Sequence, residues 1–189
     1  RGQGVVEAIP GKEVNLTDRA IHKALVELTV ATPVGDLLDV GCGRGSILKL
    51  LASRARRAVG VDIDESARRL ARAELMLAGL PNCSLRQGNM YRLPFDDAEF
   101  NTIILDDVLA EAKDPVGALV ESRRLLKPSG RLFILQAIRE VTAIRIQQSL
   151  AEWSTEAALR LAPALFVPSK KPRWLLSVAT AARSEDAAA

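Results

Sequence analysis

Residues 39–45 read Asp-Val-Gly-Cys-Gly-Arg-Gly, closing an apolar run at 36–40 and opening an amphipathic one at 46–55. The glycines at 41, 43 and 45 let the backbone turn sharply and let another molecule approach the main chain closely. A strand that ends in such a turn and feeds a helix is half of a strand–helix–strand unit. That unit buries its apolar faces only within a parallel sheet covered by helices.

The rest of the chain repeats the alternation. Helices are expected at 17–30, 46–55, 64–78, 114–126 and 141–161. Thr17 would cap the first, with Ile21, Ala24, Leu25 and Leu28 on its inner face. Ile47, Leu48 and Leu51 would face inward from the second. Asp64 would cap the third, with Gly79 just past its end. Asp114 would cap the fourth, with Pro115 in its first turn and the 127–130 stretch (Lys-Pro-Ser-Gly) stopping it. Strands are expected at 36–40, 58–62, 84–86, 101–105, 131–136, 165–167 and 174–179. The short turn at 168–172 makes the last two an antiparallel hairpin. The expected architecture is an α/β three-layer sandwich with a mostly parallel seven-stranded sheet, forming a single domain over 1–189. Residues 1–15 are irregular and read either as a lid over the ligand or as a frayed terminus.

Composition narrows the function classes. With 48% hydrophobic and 26% charged residues the chain can build a core, which excludes a disordered segment. No apolar run is long enough to span a membrane, and 1–14 lacks a signal-peptide pattern, so a cytoplasmic location is expected. Cys42 and Cys83 form no disulfide framework, and Cys42, lying among glycines, is expected to act sterically. With His22 the only histidine, no zinc or other metal site is expected. The net charge of +3 comes with arginine clusters around 54–57, 68–72, 123–127 and 170–173. They read as solvated helix faces and ends; the few aromatics disfavour nucleic acid as a partner.

The acid ahead of the first glycine carries chemical information. A glycine turn alone also describes nicotinamide and flavin sites. Asp39, two residues before Gly41, would repel a pyrophosphate and suits a ligand bearing an ammonium group. Asp62 ends the second strand, where a carboxylate accepts hydrogen bonds from ribose hydroxyls. Together they describe a site for a cationic, amino-acid-bearing nucleoside.

Four blocks, LLDVGCGRGSIL (37–48), VGVDIDESARRLAR (59–72), QGNMYRLPFDDAEFNTII (87–104) and VLAEAKDPVGALVESRRLLKPSGRLFI (108–134), occur in an order and spacing similar to the class I S-adenosylmethionine (SAM)-dependent methyltransferases. The resemblance is strongest to ubiquinone/menaquinone C-methyltransferase-like domains. It implies a Rossmann-like fold and methyl transfer from SAM, leaving S-adenosylhomocysteine. Asp39, Gly41, Cys42 and Gly43 would line the methionine and ribose part of SAM, and Gly45 would start the next helix. Asp62 would hold the ribose and Ile63 would pack on adenine. Asn89, standing where the family usually has an acid, would accept from the adenine amino group, beside Met90. Leu105 would line the site at the end of the fourth strand. Asp106, with Asp107 and Glu111 behind it, is the candidate base or orienting group for a small-molecule acceptor. A second departure is Asn101, which replaces the usual aspartate at the start of that strand. Two competing readings are a non-catalytic SAM-binding regulatory or assembly module and a nicotinamide-dependent oxidoreductase; Asp39 argues against the latter.

Overall fold

The computed structural model describes residues 16–30, 32–138, 143–167 and 173–182. The expected irregular segment at 1–15 and the turn at 168–172 lie outside them.

One twisted sheet runs through the molecule. Strands β1 (Gly35–Val40), β2 (Ala55–Asp62), β3 (Cys83–Gln87), β4 (Phe100–Asp106) and β5 (Leu126–Ala137) are mutually parallel. Beyond β5 the sheet turns antiparallel through β8 (Trp174–Ala181), giving the order β3-β2-β1-β4-β5-β8-β6. Two short strands, β6 (Leu159–Leu161) and β7 (Leu165–Val167), share the outer edge of β8. The sheet is thus seven positions wide but holds eight strands.

The strands are apolar on both sides because helices cover both faces. Helices α1 (Leu16–Val30), α2 (Ser46–Leu51) and α3 (Glu65–Leu77) cover one. There Ile21, Leu25, Ile47, Leu48, Leu51 and Leu75 meet Leu37, Ile104 and Phe133 of the sheet. Helices α4 (Pro115–Leu125) and α5 (Ala143–Glu156) cover the other, where Leu119, Leu125 and Leu150 meet Leu38, Ile103 and Ile134. The period-two switch from Leu37 to Leu38, and from Ile103 to Ile104, assigns alternate residues to the two cores. Among the described residues no helix is long and apolar enough to cross a membrane.

The caps behave as the residue types require. Asp64 accepts from the Ser66 N–H at 2.8 Å, and Asp114 accepts from the Gly117 N–H at 2.8 Å with Pro115 behind it. Gly79 takes φ +64° past the end of α3. Helix α1 begins at Leu16, which puts Thr17 inside its first turn rather than at the cap.

Three element boundaries differ from expectation. The helix expected over 46–55 stops at Leu51; a 3₁₀ turn (Ala52–Arg54) follows, and β2 starts at Ala55. The 127–130 stretch, expected as the stop between the fourth helix and a strand at 131–136, lies inside β5, which follows α4 directly; partners shift across it from Phe100↔Leu126 to Thr102↔Arg131. The helix expected over 141–161 ends at Glu156, and Leu159–Leu161 instead pairs with Ala179 to Ala181 of β8. Ala158, at φ +53°, makes the break without a glycine or proline to announce it.

Several arginines have structural partners. Arg54 donates to the Val26 carbonyl and Arg131 to the Leu28 and Thr32 carbonyls, capping the C-terminal end of α1. Arg56, Arg57 and Lys127 surround the buried carboxylate of Asp36 at the N-terminal end of β1. Asn101 belongs to this cluster: its Oδ1 accepts from the Asp36 N–H at 3.0 Å and from Lys127 Nζ at 3.1 Å. The departure at Asn101 therefore falls at the end of β4 away from Asp106, in a structural role.

Candidate functional site

The turn after β1 is closed by main-chain bonds before any side chain takes part. Gly41 and Cys42 both donate to the Val61 carbonyl, at 2.7 and 3.0 Å, and Gly45 donates to the Cys42 carbonyl at 2.8 Å. Gly41, Gly43 and Gly45 all have positive φ, at 72°, 50° and 78°. Gly41 is also a close approach: a Cβ there would lie 2.6 Å from Val108 Cγ2. Gly45 stands at the N-cap of α2.

Cys42 packs inward. A Cβ on Gly60 would lie 2.8 Å from its Sγ and 2.7 Å from Leu48 Cδ1, so the bare Gly60 makes room for both. Burial first, then the nearby Asp39 and Asp62, push the Cys42 thiol far up, which disqualifies it as a nucleophile. The steric role expected from its setting agrees with this packing.

Asp62 is held by the turn it faces. Its Oδ2 accepts from the Gly43 N–H at 2.8 Å and its Oδ1 from the Asp64 N–H at 2.9 Å. Each oxygen keeps a second lone pair for a ligand hydroxyl. Asp39 is different. It is 1% exposed, and among the described residues neither carboxyl oxygen has a hydrogen-bond partner. Burial first, then Asp106 and Asp62, raise its pKa well above the ordinary carboxylate value. A buried acid with no partner is a deficit that a ligand donor or cation would fill.

A cavity of about 330 Å³ opens above the carboxyl ends of β1, β2 and β4. Its walls include Gly41, Asp62 and Ile63 on one side, Asn89 and Met90 on another, and Asp106, Asp107 and Glu111 on the third. Ile63 is 69% exposed, an apolar side chain presented to the opening. Asn89 Oδ1 accepts from the Tyr91 N–H at 3.1 Å, which fixes the bend between β3 and the following loop. Asp107 takes φ +58°, and its Oδ1 accepts from Gln136 Nε2 at 2.9 Å and from the Ala137 N–H at 3.0 Å.

The structure thus brings eight of the expected site residues to one cavity. The others lie behind it. Asp39 and Cys42 are buried beneath the turn, Gly43 and Gly45 shape it, and Leu105 is fully buried in the core rather than in the wall. Sequence reasoning missed Val40 in the wall and the hydroxyl of Tyr91, which accepts from the Lys113 N–H at 2.9 Å and the Asp114 N–H at 3.3 Å. That bond ties the two loops flanking the cavity, and no motif announces it. Glu121 was missed too. Its Oε1 accepts from the Leu93 N–H at 2.6 Å and from Arg124 Nη2 at 2.7 Å, and its Oε2 from Arg124 Nε at 2.9 Å. Arg124 also donates to the Phe95 carbonyl at 3.0 Å, so the pair holds the stretch after Met90 in place. Among the described residues no His/Cys/Asp/Glu group is arranged to hold a metal ion.

Known proteins resemble this chain in sequence and in fold. A family model described as a methyltransferase domain matches residues 38–134, just over half of the chain. A ubiquinone/menaquinone biosynthesis C-methyltransferase from Burkholderia mallei is 32% identical over 129 residues, 65% of this chain and 53% of that protein. Across such curated relatives the chain spans between 33% and 53% of their length. A SAM-dependent methyltransferase from Aquifex aeolicus superposes with a TM-score of 0.72 at 18% identity, covering 84% of this chain and 88% of that one. A [4+2]-cyclase, SpnF, superposes at 0.76 with 19% identity, covering 87% and 81%. These superpositions show a shared Rossmann-like fold, on which more than one chemistry has been built. With the family model spanning the turn, the walls and the sheet that carries them, the chain belongs to the class I methyltransferase-domain family.

Proposed function

We propose that the chain binds SAM over the 39–45 turn and transfers its methyl group to a small-molecule acceptor. Asp39 carries this reading. Its two buried oxygens, without a partner among the described residues, suit the ammonium group of the methionine moiety better than any neutral ligand atom. Asp62, with lone pairs to spare, fits the ribose hydroxyls. Ile63, Asn89 and Met90 fit the adenine ring and its amino group. Gly41 lines the cavity and leaves its Cβ space to the Val108 side chain, which stands across it in the same wall.

When bound, SAM supplies a methyl carbon already activated by its sulfonium, which departs as the neutral thioether S-adenosylhomocysteine. The chain's own residues hold the reactants in line and keep water out. Asp106, at the carboxyl end of β4 and in the cavity wall, orients the acceptor and takes its proton where one must leave. Glu111 lines the same cavity. Asp107, held by Gln136 and Ala137, positions the loop. Asp106→Asn is expected to slow S-adenosylhomocysteine formation by about tenfold or more, the value of one charge-assisted hydrogen bond, with much less effect on S-adenosylhomocysteine binding. Equal losses in both would place Asp106 in binding alone.

Thermal unfolding with added ligand tests the donor assignment. SAM and S-adenosylhomocysteine at a hundred times their dissociation constants should each add about 2.7 kcal/mol of stability, whereas NAD should add none. Stabilisation by NAD alone would replace this reading with the oxidoreductase one.

A further inference from the structure

The two sides of the sheet are finished differently. On one, the outer edge of β8 is taken up by β6 and β7. On the other, β3 pairs with β2, and among the described residues no strand pairs with its outer edge. The Ala58 N–H donates to the Asn82 carbonyl at 3.0 Å, and the Gly88 N–H to the Asp62 carbonyl at 3.4 Å. Bonds of a parallel ladder alternate along the strand, so the main-chain groups of Leu85 and Gln87 turn outward. An open edge of this kind is a template for another strand.

Beside that edge a groove of about 190 Å³ runs between α3 and β3. Leu75, Met76, Leu80, Cys83 and Leu85 line it; Arg72 is the one charged side chain in the described lining, and no carboxylate joins it. Met76 is 76% exposed, which leaves its apolar surface to solvent. The turn from α3 into β3 is closed by main-chain bonds, from the Leu80 N–H to the Leu75 carbonyl at 3.2 Å and from the Cys83 N–H to the Leu80 carbonyl at 3.3 Å. The groove is therefore preformed. One turn before Arg72, Arg69 meets Glu65 at 3.9 Å, with both side chains well exposed, which is a weak, solvated pair.

We propose that the outer edge of β3 takes an extended segment of another protein as an added strand, with apolar side chains seated in the α3 groove and an acidic one against Arg72. The groove shares no lining residue with the donor cavity, so the inference does not depend on the donor reading. Main-chain bonds to Leu85 and Gln87 supply affinity, and the groove sets which alternate side chains fit. Charge selects an acidic partner and rejects a second copy of this chain. Antiparallel pairing of β3 with its own copy would set both α3 helices on one face, with Arg69 and Arg72 against the same residues of the copy. Like charges placed together in this way repel.

The test uses the full chain and two fluorescein-labelled peptides of alternating valine and threonine, a little longer than β3. One carries glutamates at both ends, the other lysines. In fluorescence anisotropy the glutamate peptide should bind about tenfold more tightly than the lysine one, a gap that narrows as salt is raised. Arg72→Glu should reverse the preference, and Met76→Asp should weaken the glutamate peptide by about tenfold. Both side chains are exposed, so neither change should move the melting temperature appreciably. N-methylation of every second peptide residue should abolish binding in one phase and spare it in the other, since only alternate N–H groups of an added strand face its neighbour. Absence of binding, equal binding of both peptides, indifference to both substitutions, or equal loss in both methylation phases would each overturn the proposal. So would binding that appears only after residues 1–15 or 183–189 are removed, because the edge would then belong to the chain itself. A reversible dimer that Met76→Asp dissociates would assign the edge to a second copy instead.

Discussion

Asp39→Ala should weaken S-adenosylhomocysteine binding by roughly a hundredfold, about 3 kcal/mol, while leaving the ligand-free chain no less stable. The two effects have one origin. With ligand present, the buried carboxylate would pair with an ammonium, and removing one member of a buried pair strands the other. Without ligand the carboxyl itself is stranded: among the described residues both oxygens lack partners, and burial raises its pKa. Alanine removes that deficit, worth about 1–3 kcal/mol, against a small loss of packing. The strand does not depend on the side chain, because the Asp39 main chain pairs with Gly60 and Ile104. Calorimetric titration and a melting curve on the same samples check both halves. A variant that melts much earlier than the unmutated chain would make Asp39 a structural residue.

Glu121→Ala should give the opposite pattern. Glu121 accepts two bonds from Arg124 and one from the buried Leu93 main chain. Hydrogen bonding from Arg124, against the opposing effect of burial, holds its carboxyl below the ordinary glutamate value of 4.5. Its contribution is thus present above that value and lost as the pH falls through the lower folded one. Alanine leaves the Leu93 N–H buried without an acceptor and removes one of Arg124's two carboxylate partners; Asp97 is the other. Because Arg124 is partly solvated, water recovers some of the loss. A net cost of about 3 kcal/mol is expected, lowering the melting temperature by roughly 6–12 °C. S-adenosylhomocysteine affinity should fall far less, since Glu121 supports the wall from behind. Loss of stability without binding in one variant, and of binding without stability in the other, would separate scaffold from site.

Residues with strong local signals were legible in the sequence. The 39–45 turn, Asp64, Asp114 with Pro115, and the apolar runs at 36–40 and 101–105 each specify their conformation nearly alone. The errors fall where a distant partner decides. Leu159 to Leu161 continue a helical pattern, yet the exposed edge of β8 takes them as a strand. Asn101 looked like an altered site residue because its partners, Asp36 and Lys127, are 65 and 26 residues away. Asp39 and Asp62 were both identified, but only the structure distinguishes them. Asp62 is held by Gly43 and Asp64 with a lone pair left on each oxygen, whereas Asp39 has no partner among the described residues. Tyr91, through two main-chain N–H groups, and Glu121, through one, act on other segments of the chain, which no spacing encodes.

The raised pKa of Asp39 makes the central claim measurable. In the ligand-free fold its carboxyl keeps a proton well above the ordinary range, so stability from this group declines as the pH rises toward the folded value. A cationic ligand requires the ionised form and must displace that proton. The decisive measurement is calorimetric titration of S-adenosylhomocysteine at mildly acidic pH in two buffers of different ionisation enthalpy. The expected result is release of about one proton per bound ligand by the unmutated chain, and none by Asp39→Ala. Tight binding without proton release, or equal release from both proteins, would contradict the assignment of Asp39 as the anchor for the ligand's ammonium group.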